Sequence, residues 1–208
     1  MSGAAIPVDL RPHVAPEDQA RAEFYALLAR LWYAAPDKAL LAAIAAGADI
    51  PAEGEQTGLG EAWRRLRAAA AGTDPETVRA EYDAVFVGTG KAEVTLYVSA
   101  YLVENARERV LVELREALGE LGLARSDAVH EPEDHFAALL ETMRHLAASG
   151  SSDDALQQQR KFFTRYMNRA YNPLTNEVVA SARTDFYKHV ARFTKAFCEI
   201  EAASLDML

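Results

Sequence analysis

One cysteine in 208 residues, Cys198, leaves no intramolecular disulfide to form and no thiolate cluster to hold zinc, which fits a reducing compartment. Cationic residues are also in short supply, with 22 Lys and Arg against 31 Asp and Glu and a net charge of −9. A nucleic-acid backbone or an anionic membrane is therefore not the expected partner, and a cationic ligand is favoured. No long uncharged apolar run is present, so no membrane span is expected. Met1 to Asp18 lacks the basic start and apolar stretch of a secretory signal, and a cytoplasmic protein is the expectation. Arg64 and Arg65 sit mid-chain in a helical pattern and are no export signal either. There is no internal repeat, low-complexity tract or credible hairpin.

What the chain does have is helical periodicity. Half of its residues are apolar, enough for one core in a single domain over residues 1–208. Residues 1–14 read as an irregular arm. Pro16, Glu17 and Asp18 open a helix with Phe24, Leu27, Leu28 and Leu31 on its apolar side, closing before Pro36. Asp37 to Ala46 makes a second helix stopped by Gly47, and residues 47–60, rich in Gly and acid, read as an exposed loop. A short helix carries Trp63, Leu66 and Ala70. Asp74-Pro75 starts the next, with Val78, Tyr82, Val85 and Phe86 inward.

Val87 to Tyr97 is irregular. Its Gly90-Lys91 does not belong to a phosphate-binding loop, because Val85 stands at the earlier glycine position and Ala92 at the magnesium-binding hydroxyl. The alternation from Glu93 to Val98 has no visible second strand and is assigned to loop. A long helix is expected from Ser99, as N-cap, to Leu121. Another follows Ser151–Asp154 and buries Leu156, Phe162, Phe163, Tyr166 and Met167, and one long aromatic helix runs from Leu174 to Ile200 after the break at Asn172-Pro173. The sum is an all-α, single-domain bundle of about eight helices.

Chemistry is expected at the head of the helix His130 to Leu146. Glu131 reads as its N-cap, Pro132 as its first helical residue, and Glu133 and Asp134 as charge at the positive end of the dipole. Asp134 is placed on the polar side and His135 on the rim of the apolar stripe of Phe136, Leu139, Leu140, Met143 and Leu146. A metal-assisted hydrolytic site over Glu131–His135 is the enzymatic alternative. His130 and His135 are five apart, however, roughly 140° around a helix, where the zinc-protease signature needs four, so neither metal nor other cofactor is expected.

Three stretches together resemble the TorD/DmsD family of cytoplasmic chaperones that serve molybdenum-containing oxidoreductases exported by the twin-arginine route. The first is Arg21, Phe24, Tyr25, Leu27, Leu28 and Leu31, followed by Pro36 and Leu40-Leu41. The second is Glu81-Tyr82-x-x-Val85-Phe86-x-Gly88, then Tyr97-x-Ser99-x-Tyr101. The third, and most specific, is Glu131-Pro132-x-Asp134-His135 with Glu141, Met143 and Leu146. The resemblance implies a helical fold with no catalytic residues, which holds the leader peptide and apo-form of a molybdoenzyme catalytic subunit until its cofactor is inserted. It points to Tyr82, Phe86, Gly88, Tyr97, Ser99, Pro132, Asp134 and His135 as peptide contacts. Tyr25 and Leu28 are lesser candidates. Leu96 replaces the proline that often precedes the tyrosine, and Ala170-Tyr171 stands near the place of a frequent tryptophan.

Residue chemistry agrees. A leader offers paired arginines and then an apolar segment, so its receptor needs carboxylates, here Glu131 and Asp134, beside aromatics such as Tyr82, Phe86, Tyr97 and Tyr101. Each has a plainer role open to it: core for Tyr82 and Phe86, turn geometry for Gly88 and capping for Ser99. The client is a formate dehydrogenase, an S- or N-oxide reductase or another molybdenum enzyme. A monomer and a helix-exchanged dimer are both compatible with the sequence. A helical regulatory module is the third functional class.

Overall fold

Proline and aspartate start the first helices where the sequence places them. Pro16 occupies the first turn of α1 (Pro16–Tyr33), the Asp37 carboxylate accepts the Leu40 N–H ahead of α2 (Lys38–Ala45), and Asp74 accepts from Glu76 and Thr77 ahead of α4 (Pro75–Tyr82). A computed structural model describes residues 15–50, 57–126 and 130–208. The arm expected at 1–14 and the middle of the 47–60 loop lie outside the described residues. The end of that loop is helical, because α3 begins earlier than expected, at Thr57, and runs to Ala71.

The remaining helices are α5 (Ser99–Leu102), α6 (Arg107–Glu120), α7 (Phe136–Ala148), α8 (Asp153–Phe162), α9 (Tyr171–Ala180) and α10 (Tyr187–Asp206). The described residues thus form ten α-helices, against about eight expected, and contain no strand. No helix among them is long and apolar enough to cross a membrane.

Two expected long helices are each divided. The first breaks between Leu102 and Arg107, where Ala106 takes φ +60°. Ser99 is therefore not the cap of a long helix but a buried residue in a single turn, entered through Val98. The second divides between Ala180 and Tyr187, and its second half is capped from a distance. The Glu81 carboxylate accepts the N–H groups of Phe186 at 2.9 Å and Tyr187 at 2.6 Å, satisfying orphan donors of α10 from the far side of the chain. Pro173 lies in the first turn of α9, so it starts that helix instead of ending one. Leu156, expected in the core, is only half-buried.

α1 lies along α7, α10 packs on α9 and α3, and α2 on α3. α1 and α7 run antiparallel: Trp32 meets Phe136 at one end, while at the other Arg21 reaches Gln159, whose amide donates to Leu146 O. Trp32 is fully buried, edge-on to Phe86 and Phe136 and tilted against Tyr187, and its indole N–H donates to the Thr194 hydroxyl at 3.0 Å. The elements that carry the second and third motifs therefore converge on the C-terminal end of α1.

Candidate functional site

Gly88 ends α4 in a widened turn. Its N–H bonds Asp83 O, five residues back, at 2.7 Å, and it takes φ +65° and ψ 171°, a region open in practice to glycine alone. A Cβ there would lie 2.3 Å from the Lys91 carbonyl oxygen. Turn geometry thus accounts for Gly88 without a ligand. Gly88→Ala is expected to cost at least about 1–3 kcal/mol, read as a lowered denaturant midpoint. An unchanged midpoint would show that the loop relaxes freely.

Beyond this turn the chain does run extended, and it finds a partner. Val94, Leu96 and Val98 are buried while Tyr97 points out. Val98 N–H donates to Asp134 O at 2.9 Å and Phe136 N–H to Leu96 O at 2.8 Å, so that Tyr97 pairs antiparallel with His135. Glu131 to His135 is therefore not the first turn of a helix. Glu131 is not the N-cap and Pro132 not the first helical residue, because Pro132 to His135 closes a turn of its own, His135 N–H to Pro132 O at 3.1 Å, with Asp134 O taken by Val98 N–H before α7 begins at Phe136. His135 is the cap: its Nδ1 accepts the Ala137 N–H at 3.3 Å.

This pairing brings the predicted residues together. Tyr97, 39% exposed, donates its hydroxyl to the Glu131 carboxylate at 2.7 Å. Partial burial, then that hydrogen bond and the Glu131 charge, push its phenol up to about 12, so it remains a donor at neutral pH. The His135 ring sits edge-on to Tyr97 at 5.7 Å and to Tyr33 at 6.2 Å. Tyr33 is 48% exposed. Tyr82 donates to Tyr33 O at 2.9 Å and lies 3.2 Å from Trp32 O, closing the C-terminus of α1. Burial, followed by the Glu131 and Asp83 charges, pushes its phenol up.

Beside this group a cleft of about 470 Å³ opens between the C-terminal end of α1, one side of α7 and residues 118–126. Its walls include Ala29, Leu118, Leu123, Ala137 and Ala138, with Tyr33, Glu131, Pro132, Glu133 and His135 at one end and Arg30, Arg144 and His145 on its rim. From His135 to His145 it follows α7 for about 15 Å. Glu131, Pro132, His135 and Tyr97 are thus gathered at or beside one opening, with Tyr82 behind Tyr33. Phe86 and Ser99 are buried in the core, and the lesser candidates Tyr25 and Leu28 are fully buried.

Asp134 differs most from expectation. It is 2% exposed and does not line the cleft: it sits in the turn closed from His135 N–H to Pro132 O, its own carbonyl taken by Val98 N–H, where a first helical turn would have left it on the polar side. His135, placed at the rim by the sequence, is 4% exposed. The carboxylate that faces the cleft in place of Asp134 is Glu133, held below the usual carboxylate range chiefly by its hydrogen bond to Arg115. The sequence carried no local signal for that swap. Tyr33 was also missed, although an aromatic one turn after Arg30 and just ahead of Pro36 marks an exposed helix end.

Burial pushes the His135 imidazole below its ordinary 6.5, with Glu131 and Asp134 pulling the other way. A lowered histidine stabilises the fold fully above its unfolded value and loses that contribution as pH falls through the lower folded value. Stability is therefore expected to decline below pH 6.5, before most carboxylates titrate at about 4, with His135→Gln flattening part of the decline. A proton NMR titration of His135 at or above 6.5 would remove the basis for this. Among the described residues no three His, Cys, Asp or Glu side chains are placed to hold a metal.

Residues 52–176 match the protein family described as nitrate reductase delta subunit. No curated protein matches the chain.

Proposed function

Since the chain belongs to the nitrate reductase delta subunit family, whose members are chaperones of molybdoenzyme maturation, we propose that its α1–α7 cleft holds the twin-arginine leader of a molybdoenzyme catalytic subunit. The observation that carries this is an apolar cleft with Glu131 fixed by Tyr97 at one end. Among the described residues no lysine or arginine pairs with Glu131, so its second oxygen is available to a guanidinium. The apolar segment that follows the arginines lies along Ala137, Ala138, Leu118 and Leu123. The chain holds the apo-enzyme in the cytoplasm until cofactor insertion, and the role asks for no catalytic group of its own.

Calorimetric titration with a twin-arginine molybdoenzyme leader tests this, against a scrambled peptide of equal charge. The true leader is expected to bind, and lysine in place of arginine to weaken it severalfold, because an ammonium cannot make the two-pronged contact with a carboxylate. Added salt should erode only the arginine part. Equal binding of the scrambled peptide at low and high salt would reduce the protein to an acidic surface.

A further inference from the structure

Glu133, at the same end of the cleft as Glu131, has a side chain 11% exposed and already holds guanidinium groups. Arg115 Nη2 lies 3.0 Å from one oxygen and Arg125 Nε 3.8 Å from the other. Both arginines come from one stretch of chain, α6 and the segment after it, which also forms the Leu118–Ser126 wall. Two arginines converging on a carboxylate at the mouth of an apolar cleft reproduce the chemistry expected of the ligand.

The stretch is set off from its neighbours at both ends. It is entered through Ala106 at φ +60° and left through Gly122 at φ +70°, so left-handed residues flank α6 on both sides. Its buried apolar anchors are Val110, Leu114 and Leu118, while Val112 is 51% exposed. Half-buried Ala117, Leu121 and Leu123 also pack on the core, and the polar ties are Arg165 to Glu113 at 2.9 Å, Lys161 to Glu120 at 3.2 Å, and the Tyr166 hydroxyl to Glu113 O. Exposed ion pairs such as the first two hold weakly.

We propose that Arg115 and Arg125 are an internal stand-in for the ligand's arginines: one guanidinium of the leader meets Glu131 and the other displaces Arg115 and Arg125 from Glu133, so that the wall carried by α6 is released on loading. The inference rests on leader binding in this cleft. Its consequence is selectivity. An intramolecular arginine competes at an effective concentration of roughly millimolar, so a free basic peptide cannot displace it by charge alone. A leader succeeds because its apolar segment adds contacts that Arg115 and Arg125 do not make. A chain of net charge −9 needs such a filter against stray cations.

The test compares wild type with Arg115→Gln, Arg109→Gln and Glu133→Gln in titrations with the twin-arginine leader and with its scrambled counterpart. Arg115 is 56% exposed and Arg109 81%, so both variants keep the core, and Arg109 pairs with Glu113 on the same helix as a control. Arg115→Gln is expected to bind the leader roughly threefold tighter, to gain measurable affinity for the scrambled peptide and to bind with a steeper salt dependence. Arg109→Gln should change none of these, and Glu133→Gln should abolish the gain from Arg115→Gln in the double variant. Hydrogen exchange in α6 of the wild type should speed up on leader binding. Leader binding that Arg115→Gln leaves unchanged or weakens would overturn the exchange while leaving the leader assignment intact. A leader that binds neither wild type nor Arg115→Gln would overturn the leader assignment and the exchange with it.

Discussion

Glu201→Ala is expected to cost about 3–5 kcal/mol, the range for breaking a buried charge pair from one side, and to lower the melting temperature by roughly 10 °C. Glu201 is 2% exposed on α10 and receives Arg21 in a two-pronged contact, Nε to Oε1 and Nη2 to Oε2, each at 2.8 Å. The Tyr25 hydroxyl adds a third donor at 2.8 Å. Arg21 also reaches Asp18 and the Gln159 side-chain Oε1 at 2.9 Å each, and the Gln159 Nε2 donates to Leu146 O and Gly150 O at the end of α7. One guanidinium therefore ties α1 to α8 and α10, and through Gln159 to α7. Removing the carboxylate leaves the Tyr25 hydroxyl without its acceptor and the Arg21 guanidinium facing a void, with only Asp18 among the described residues left to balance its charge. In the double variant with Arg21→Ala the cost should be well below the sum of the two single costs, as for any pair that shares one contact. The exposed Glu61, paired with Arg64 and Arg65, is the control, and Glu61→Ala should leave the melting temperature unchanged. A Glu201→Ala protein that melts with the wild type would mean that water replaces the lost oxygens and that the latch holds nothing.

Arg21 also shows how far the fold is legible in the sequence. Its position in the first motif could be seen, but its partner lies 180 residues away, and no local pattern connects them. The same division runs through the whole chain. Helices whose ends are set by nearby residues, Pro16 for α1, Asp37 for α2 and Asp74 for α4, begin where capping chemistry puts them. Helices whose ends are set from a distance were merged: α10 starts where Glu81 caps it, more than a hundred residues from the capping side chain. The head of α7 was misread for a related reason. Glu131-Pro132-Glu133-Asp134 has the composition of a first helical turn, but it is a turn ahead of the helix, closed from His135 N–H to Pro132 O and pinned at Asp134 O and Phe136 N–H by the 96–98 segment, distant in sequence. That one change of conformation moves Asp134 inward and puts Glu133 at the cleft. Site residues were legible as residue types, Glu131, His135 and Tyr97, and their roles depended on backbone partners that the pattern does not show.

Ala138→Phe is expected to remove leader binding while leaving the fold intact. Ala138 is half-buried in the first turn of α7 and faces the cleft, so a phenyl ring there occupies space instead of displacing core. An apolar side chain of the ligand excluded from this wall forfeits about 1.5–3 kcal/mol, roughly ten- to a hundredfold in affinity. The Ala138 carbonyl keeps its bond from the Thr142 hydroxyl at 2.9 Å, since only the side chain changes, and the melting temperature should move little. Ala203→Phe, on the exposed side of α10, adds the same ring away from the cleft and should bind the leader as the wild type does. The two variants separate a cleft-specific loss from a general effect of added hydrophobic surface. If Ala138→Phe binds the leader at wild-type strength, the apolar segment does not lie between α1 and α7. The surface left to carry it is then the exposed face of Tyr33 and Tyr97, where an arginine can still meet Glu131 but the apolar residues that follow stay largely in water. Such binding should be strongly salt-dependent, whereas binding in the cleft keeps a part that salt does not reach, so a salt titration of the wild type decides between the two surfaces.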